Sequence, residues 1–222
     1  MEKRKIIFGS YDTARDGLWT LTGWSLSAAL YRENYVTIPG RDGDLDLSAA
    51  LTDGEPRYGS RTLTATFESS EGTRLERESI INTMINWLDG WRMNIVLPDD
   101  PDHYVTGRVR VQRDYNDPAH AAVTVTAVCD PWKYLNRETA TLLIAGPTTE
   151  MATLPNYGRK TVVPVLTISG EGANVLLAVD GASWALGPGV YQLPDLTVPQ
   201  GGKVVNYSGT GELSFVYREA QL

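Results

Sequence analysis

One stretch of this chain, residues 73–90, has the spacing of an α-helix, whereas most other patterned segments alternate like β-strands. Its apolar residues recur close to the three- and four-residue spacing that places side chains on one helix face, and they are Leu75, Ile81, Met84, Ile85 and Leu88. Thr73 and Glu76 have the form of a capping box, and Gly90 can take the left-handed conformation that ends a helix. The sequence therefore predicts one well-bounded helix with β-structure arranged around it.

Residues 61–67 give the clearest strand pattern, because apolar and hydroxyl side chains alternate there without a break. We expect one buried face and one face that meets water or a neighbour; the two sets are Leu63, Ala65 and Phe67, and Thr62, Thr64 and Thr66. Shorter strands are predicted at residues 5–8, 18–24, 29–38 and 94–97.

A hairpin is predicted from residues 104–113 and 121–130, joined through Asn116, Asp117 and Pro118. Its inward rows should lie against the helix, and they are Val109 with Val111, and Val123 with Val125 and Ala127. The first half of the chain is thus expected to be a β-sandwich or half barrel covered by one helix, closing near residues 131–134.

Beyond Asn136 the composition shifts towards Gly, Pro, Val and Leu, so we predict two domains, residues 1–135 and 136–222. The second should be a compact sandwich of jelly-roll type, because short strands and turn signals alternate closely. Its predicted strands are residues 139–144, 162–169, 175–179, 183–186, 189–193, 203–207 and 212–218. The fold class is therefore mainly β, with one helix in the first domain.

Composition excludes several classes of function. The formal net charge is -7 over 222 residues, which argues against a surface built to bind nucleic acid. No segment has the length of a membrane span, and the basic residues 1–5 lead into too few apolar residues for an export signal. The single cysteine, Cys129, lies in an alternating apolar strand and is expected to be a buried core residue. We expect a soluble protein that folds in a reducing cytoplasm.

Ionisable clusters give no convincing catalytic or metal site. The aspartates of residues 42–46 lack the glycine and glutamate positions of an EF-hand, since Leu47 and Asp53 stand there. Asp99, Asp100 and Asp102 lie beside His103, but the other histidine, His120, is across the predicted hairpin. A pair of carboxylates could in principle form a glycosidase site, yet the sequence places no two at the required separation. We therefore assign no catalytic, cofactor-binding or metal-binding residue, expect no enzyme activity and expect no cofactor.

Aromatic residues leave two questions open. Trp184, Tyr191, Tyr207 and Tyr217 in the second domain are either sugar-stacking platforms or, as we favour, residues of the core and of subunit contacts. Trp87 and Trp91 near the end of the helix either anchor it to the sheet or mark a subunit interface.

An ordered series of short motifs resembles the distal tail protein family of long-tailed siphophages and their prophages. The series consists of residues 38–46, residues 58–63, the capped helix, residues 129–134, residues 156–158 ahead of Pro164 and residues 168–172, and the closing residues 215–219. Each motif is weak alone, because Gly-Arg-Asp-Gly at residues 40–43 is simply a good turn. The series spans nearly the whole chain.

The resemblance implies a structural role in a virion. In that family an N-terminal belt domain related to tail-tube proteins forms a hexameric ring at the tail tip, and a galectin-like C-terminal domain projects from it. The implied partners are further copies of the chain, the tail tube protein, the tape measure protein, and a tip hub carrying a tail-associated lysin or receptor-binding protein. The implied location is the virion tail tip, after synthesis in the cytoplasm of the bacterial host.

The second domain is short for that family, and the runner-up interpretation is a carbohydrate-binding module acting at a host surface. Under the ring interpretation, the candidate contact surfaces are the loop of residues 38–60 and the threonine face of residues 61–67. Acidic residues of the loop at residues 42–55 are expected to line the opening and repel the phosphates of passing DNA.

Overall fold

A computed structural model describes residues 4–17, 19–50, 54–69, 72–114 and 121–222 of the chain. The chain divides into two compact units, Met1–Lys133 and Tyr134–Leu222, and each contains its own cluster of buried apolar residues. Both units are built mainly of β-strands, which confirms the predicted fold class. Within the described residues, no helix has the length and apolar character needed to span a membrane.

The first unit is a curled antiparallel sheet with a helix on its apolar face. Its elements are β1 (Ile7–Phe8), β2 (Tyr11–Asp12), α1 (Thr13–Asp16), β3 (Thr20–Leu26), β4 (Tyr35–Val36), β5 (Leu45–Asp46), β6 (Arg61–Ser69), α2 (Arg74–Leu88), β7 (Arg92–Leu97), β8 (Asp100–Asp114) and β9 (Ala121–Leu135). Seven strands follow the order β2-β1-β7-β8-β9-β6-β3, while β4 and β5 pair only with each other among the described residues. The turn predicted at residues 116–118 and the strand start predicted at Leu18 lie outside the described residues.

Helix α2 begins as predicted. The backbone N–H of Thr73 donates to Oε2 of Glu76 at 2.6 Å, and the N–H of Glu76 donates to Oγ1 of Thr73 at 3.4 Å. Gly90 has the predicted positive φ, +80°, at the far end.

The prediction that Leu75 belongs to the buried apolar face of α2 is wrong. Ile81, Met84 and Leu88 are buried, but the side chain of Leu75 is 80% exposed. Leu75 lies six residues before Ile81, and the helical repeat turns it about 120° away from that side chain. The buried face therefore begins later in the helix than predicted.

Strand β6 has the two predicted faces. Its apolar set, Leu63, Ala65 and Phe67, is fully buried and pairs in register with Ala127, Val125 and Val123 of β9. Helix α2 packs against β8, where the N–H of Val111 donates to Asp89 at 2.8 Å and Arg113 pairs with Glu78. Strand β9 continues through residues 131–134, where we had predicted that the domain closes.

The second unit is a strongly curled antiparallel sheet. Its six strands are β10 (Thr139–Ala145), β11 (Glu150–Leu154), β12 (Val165–Val179), β13 (Ala182–Leu186), β14 (Gly189–Tyr191) and β15 (Lys203–Tyr217). The short strand β16 (Ala220–Gln221) follows and pairs with β9. Four of them follow the order β10-β15-β12-β13, while β11 pairs with β15 and β14 pairs with β12.

Two pairs of strands predicted in the second unit are each one long strand. Residues 162–169 and 175–179 were predicted as separate strands, as were residues 203–207 and 212–218, but β12 and β15 run through both glycine-containing gaps. The register of β12 on β15 shifts between Ser169 and Asn174, so the strands bend there without ending. Gly209 allows this bend, because its φ is +118° and a Cβ would lie 2.1 Å from the carbonyl oxygen of Asn174.

Candidate assembly surface

An arm, which we define as residues 27–50 and 54–60, leaves the first sheet between β3 and β6. Its base continues their ladder: the N–H of Ser27 donates to Thr62, that of Gly59 to Leu30 and that of Arg32 to Arg57, at 2.8–2.9 Å. Residues 29–38 were predicted as one strand, but only Tyr35–Val36 form one, because they pair with β5 of the arm and not with the main sheet. The arm is therefore a braced projection.

Aromatic rings fix the base of the arm to β9. The ring of Tyr58 meets Trp132 edge to face at 5.5 Å and Tyr31 at 6.1 Å between centroids. Edge-to-face aromatic pairs each stabilise by roughly 0.5–1.5 kcal/mol beyond their buried area. Nε of Arg61 donates to the carbonyl of Ser27 at 2.7 Å, and burial lowers the pKa of this guanidinium.

The arm exposes large apolar side chains. We call them the arm patch, which consists of Leu30, Tyr31, Tyr35, Val36 and Ile38, exposed by 36–73%. None of the five belongs to either buried cluster or is packed against one. Because five large apolar side chains are exposed within one short segment, the arm is the first candidate contact surface.

A second apolar surface lies where α2 ends. Trp87 and Trp91, which we call the helix-end patch, are 58% and 64% exposed. The sequence left open whether these tryptophans anchor the helix to the sheet or mark a subunit interface. Neither ring belongs to the buried core of the first unit, which favours the interface. Arg108 donates to the carbonyl of Gly90 at 2.6 Å, next to Trp91, and Arg92 pairs with Asp130.

The face of the first sheet opposite α2 is polar. Thr62 is exposed, Thr64 and Thr66 are half-buried, and the Thr66 hydroxyl donates to the carbonyl of Gly23 at 3.2 Å. Arg108 and Arg110 on β8 are also exposed. This threonine face is wet in the isolated chain and offers hydroxyl groups rather than apolar area.

The side chains of the candidate ionisable clusters form hydrogen bonds and ion pairs within the chain. Asp100 accepts from Lys133 and pairs with His103, both at 2.7 Å; burial raises the pKa of Asp100, but these partners outweigh it and hold the pKa below its usual value. Asp44 accepts from Thr37 at 2.7 Å, and Asp46 accepts from the N–H of Ser48 at 2.8 Å. No group of three metal-ligating side chains occurs among the described residues. His120 and Asp53 lie outside them.

Cys129 is buried, as predicted, with 1% of its surface exposed. Burial raises the pKa of its thiol to about 11, so the thiolate needed for nucleophilic attack is not formed near neutral pH. The side chain packs against Gly107 of β8, where an added Cβ would lie 2.6 Å from Sγ.

The aromatic residues of the second unit are mostly core residues. Tyr207 and Tyr217 are buried and donate hydrogen bonds to Glu150 and to the carbonyl of Pro155. Trp184 and Tyr191 are half-buried and pack against the second core. This arrangement provides no fully exposed ring for stacking on a sugar among these four candidates.

Sequence reasoning missed the arm patch. The signal was present, because apolar residues recur through residues 30–38, but we interpreted residues 29–38 as a short strand. It also missed Arg108, which donates to the carbonyl of Gly90 next to Trp91, since this arginine belongs to no recognisable motif.

A comparison with solved structures finds the crystal structure of Dit (gp 19.1) of phage SPP1, described as a paradigm of the hub adsorption apparatus in phages that infect Gram-positive bacteria. The two chains are 15% identical, with a TM-score of 0.70. The match covers 98% of this chain and 99% of the Dit chain. This chain has the fold of a phage distal tail protein.

The likeness to Dit confirms the predicted resemblance at the level of the fold. No protein-family model and no curated protein sequence matches the chain. Because the match covers nearly the whole of both chains, it includes both units and is not the likeness of one common sandwich alone.

Proposed function

We propose that this chain is a structural protein of a phage tail that assembles head to tail into a closed ring of six copies at the distal end of the tail tube. The observation that carries the proposal is the fold shared over the whole chain with a hub protein of a phage adsorption apparatus. The arm supports an assembly role, because it exposes apolar side chains that neither core covers.

The ring would act by connection and not by catalysis. On one side it would meet the tail tube protein and the tape measure protein; on the other it would meet the tip hub with its tail-associated lysin or receptor-binding protein. The protein would be made in the bacterial cytoplasm and would reside at the virion tail tip. It needs neither cofactor nor metal for this role, and neither a membrane nor specific nucleic acid is among its partners.

DNA leaving the virion would pass through the ring. The net charge of -7 and the carboxylates Asp42, Asp44 and Asp46 on the exposed tip of the arm favour a surface that repels phosphate. We expect acidic side chains of this loop at the opening. A ring structure whose lumen is lined by lysine and arginine would contradict this part of the proposal alone.

Electron microscopy tests the main proposal. The full-length chain, alone at increasing concentration and with its tail tube protein, is imaged in negative stain while light scattering gives its mass. Closed six-fold rings are expected, and immunogold should label the tail tip of virions that encode the chain. A monomer under all these conditions, together with gold elsewhere on the virion, would overturn the assignment.

A further inference from the structure

Most of the exposed large apolar side chains of the first unit fall into two patches. The arm patch is aliphatic and phenolic, whereas the helix-end patch consists of two indole rings. A closed ring of identical copies requires two different, mutually complementary surfaces on each copy, because its contacts are head to tail. Among its described residues, the first unit presents two different exposed apolar surfaces.

We propose that the arm patch of one copy binds the helix-end patch of the next copy of this chain. The inference rests on the ring proposed above and names the two surfaces that meet in it. The chemistry of both sides suits a subunit interface, since tryptophan, tyrosine and arginine are enriched at interface cores and dominate their binding energy.

Charge favours the same pairing. Among its described residues, the arm has more exposed carboxylates than guanidinium groups: Glu33, Asp42, Asp44, Asp46 and Glu55 against Arg32, Arg41 and Arg57. Its negative field is felt locally, because Asp46 and then Glu33 raise the pKa of the Tyr35 phenol. Beside Trp91, the guanidinium of Arg108 donates to the carbonyl of Gly90, and the carboxylate of Asp89 accepts from the N–H of Val111. Arg92 pairs in register with Arg108 on the sheet face opposite α2, where it binds Asp130. Arginine forms bidentate hydrogen bonds with carboxylates, so Arg108 offers a donor to the acidic side chains of an incoming arm.

The backbone of the arm is suited to this role. Its base is held by the ladder to residues 57–62 and by the Tyr31, Tyr58 and Trp132 rings, so the patch is presented on a braced support. A braced arm loses less conformational entropy on docking than a flexible loop would.

Disulfide trapping between full-length copies tests the pairing. One copy carries Ile38→Cys beside Tyr35 and Val36, and a second copy with a different tag carries Asn86→Cys beside Trp87. The native Cys129 is 1% exposed and does not compete. Mild oxidation of the mixture should give the mixed disulfide at least tenfold more abundantly than either self-paired product.

A matched control uses the same helix. Leu75→Cys is more exposed than Trp87 but lies about 18 Å away along α2, so its yield with Ile38→Cys should stay at the level of random collision. Adding Tyr35→Thr and Val36→Thr to the Ile38→Cys copy should reduce the Asn86 product to that level. Circular dichroism of each variant verifies that it is folded.

The outcomes separate this inference from the proposed function. Predominant self-pairing at 38 or at 86, or no enrichment over the Leu75 control, overturns the arm-to-helix contact. Closed rings seen by electron microscopy without that disulfide would support the proposed function and contradict only the arm-to-helix contact. The disulfide without any closed ring supports the contact and counts against the ring.

Discussion

Gly107 on β8 and Cys129 on β9 occupy one tightly packed position in the first core. The sequence predicted that Cys129 is buried, because alternation alone places it with Val125 and Ala127. The sequence did not predict that position 107, opposite Cys129, requires glycine, because that requirement depends on how closely β8 and β9 approach each other. A Cβ at position 107 would lie 2.6 Å from Sγ of Cys129 and 3.0 Å from the carbonyl oxygen of Val128.

Gly107→Ala should lower the free energy of unfolding of the first unit by about 1–3 kcal/mol through overpacking. Chemical denaturation followed by tryptophan fluorescence measures the effect. Gly59→Ala is the control, because its Cβ would meet nothing closer than 3.7 Å and its φ is not positive. Equal stability of the two variants would mean that the packing at Cys129 is looser than described.

The thiol of Cys129 should make stability depend on alkaline pH. Its folded pKa, about 11, lies above the ordinary value of 9.0, so the native state holds this proton more tightly than the unfolded state does. The contribution is fully present below pH 9 and is lost as the pH rises through 11, amounting to roughly 2 kcal/mol. Denaturation at pH 8 and pH 10.5 should show a steeper loss for the native chain than for Cys129→Ala. Parallel losses would contradict the assignment.

Among the elements, α2 was the best predicted from sequence, because caps and helical spacing act over a few residues. Thr73 and Glu76 form the expected box and Gly90 has the expected φ. The arm was poorly predicted, since its apolar alternation resembles that of a sheet strand and only the pairing partner distinguishes them. We predicted each of the long strands β12 and β15 as two shorter strands, because glycine normally interrupts a strand. In this protein the glycines permit a bend within a continuous strand.

Thr73→Ala should destabilise the first unit by about 1 kcal/mol, because the N–H of Glu76 loses its side-chain acceptor. Thr73→Ser keeps the hydroxyl and is expected to stay within a few tenths of a kcal/mol of the native chain. Thermal unfolding measured by circular dichroism distinguishes them. An alanine variant as stable as the serine variant would mean that the cap contributes nothing.

Gly209→Ala should be far more harmful than Gly201→Ala. Both residues have positive φ, +118° and +91°, but an added Cβ meets the backbone of Asn174 at 2.1 Å in the first case and nothing within 4 Å in the second. The open position costs about 1 kcal/mol, whereas the crowded one requires β12 and β15 to separate. Comparable losses in urea unfolding of the two variants would contradict the described bend.

On the scale of the whole molecule, two separate cores account for the division of the chain. Their buried members lie at or before Cys129 in the first unit and at or after Ala145 in the second. The shift in composition near Asn136 indicated two domains, but the sequence did not indicate which of its candidate contact residues are exposed. Exposure of Tyr35 or Trp87 depends on which residues the rest of the fold leaves uncovered.

Separate cores should give separable responses to mutation. Gly107→Ala is expected to raise hydrogen exchange in β6, β8 and β9, and Gly209→Ala to raise it in β12 and β15, with little change in the other unit. Mass spectrometry of peptic fragments measures the hydrogen exchange of both units. If each variant raised exchange equally across the chain, the two units would unfold as one cooperative body.

The braced arm also bears on what happens when defective and intact copies are made together. If copies join as proposed, a chain without the tip of the arm but with Trp87 and Trp91 would accept one neighbour and offer nothing to the next. It would therefore end a growing ring instead of completing it. Since every ring draws its members from the same pool, a minority of such chains would spoil a majority of tails.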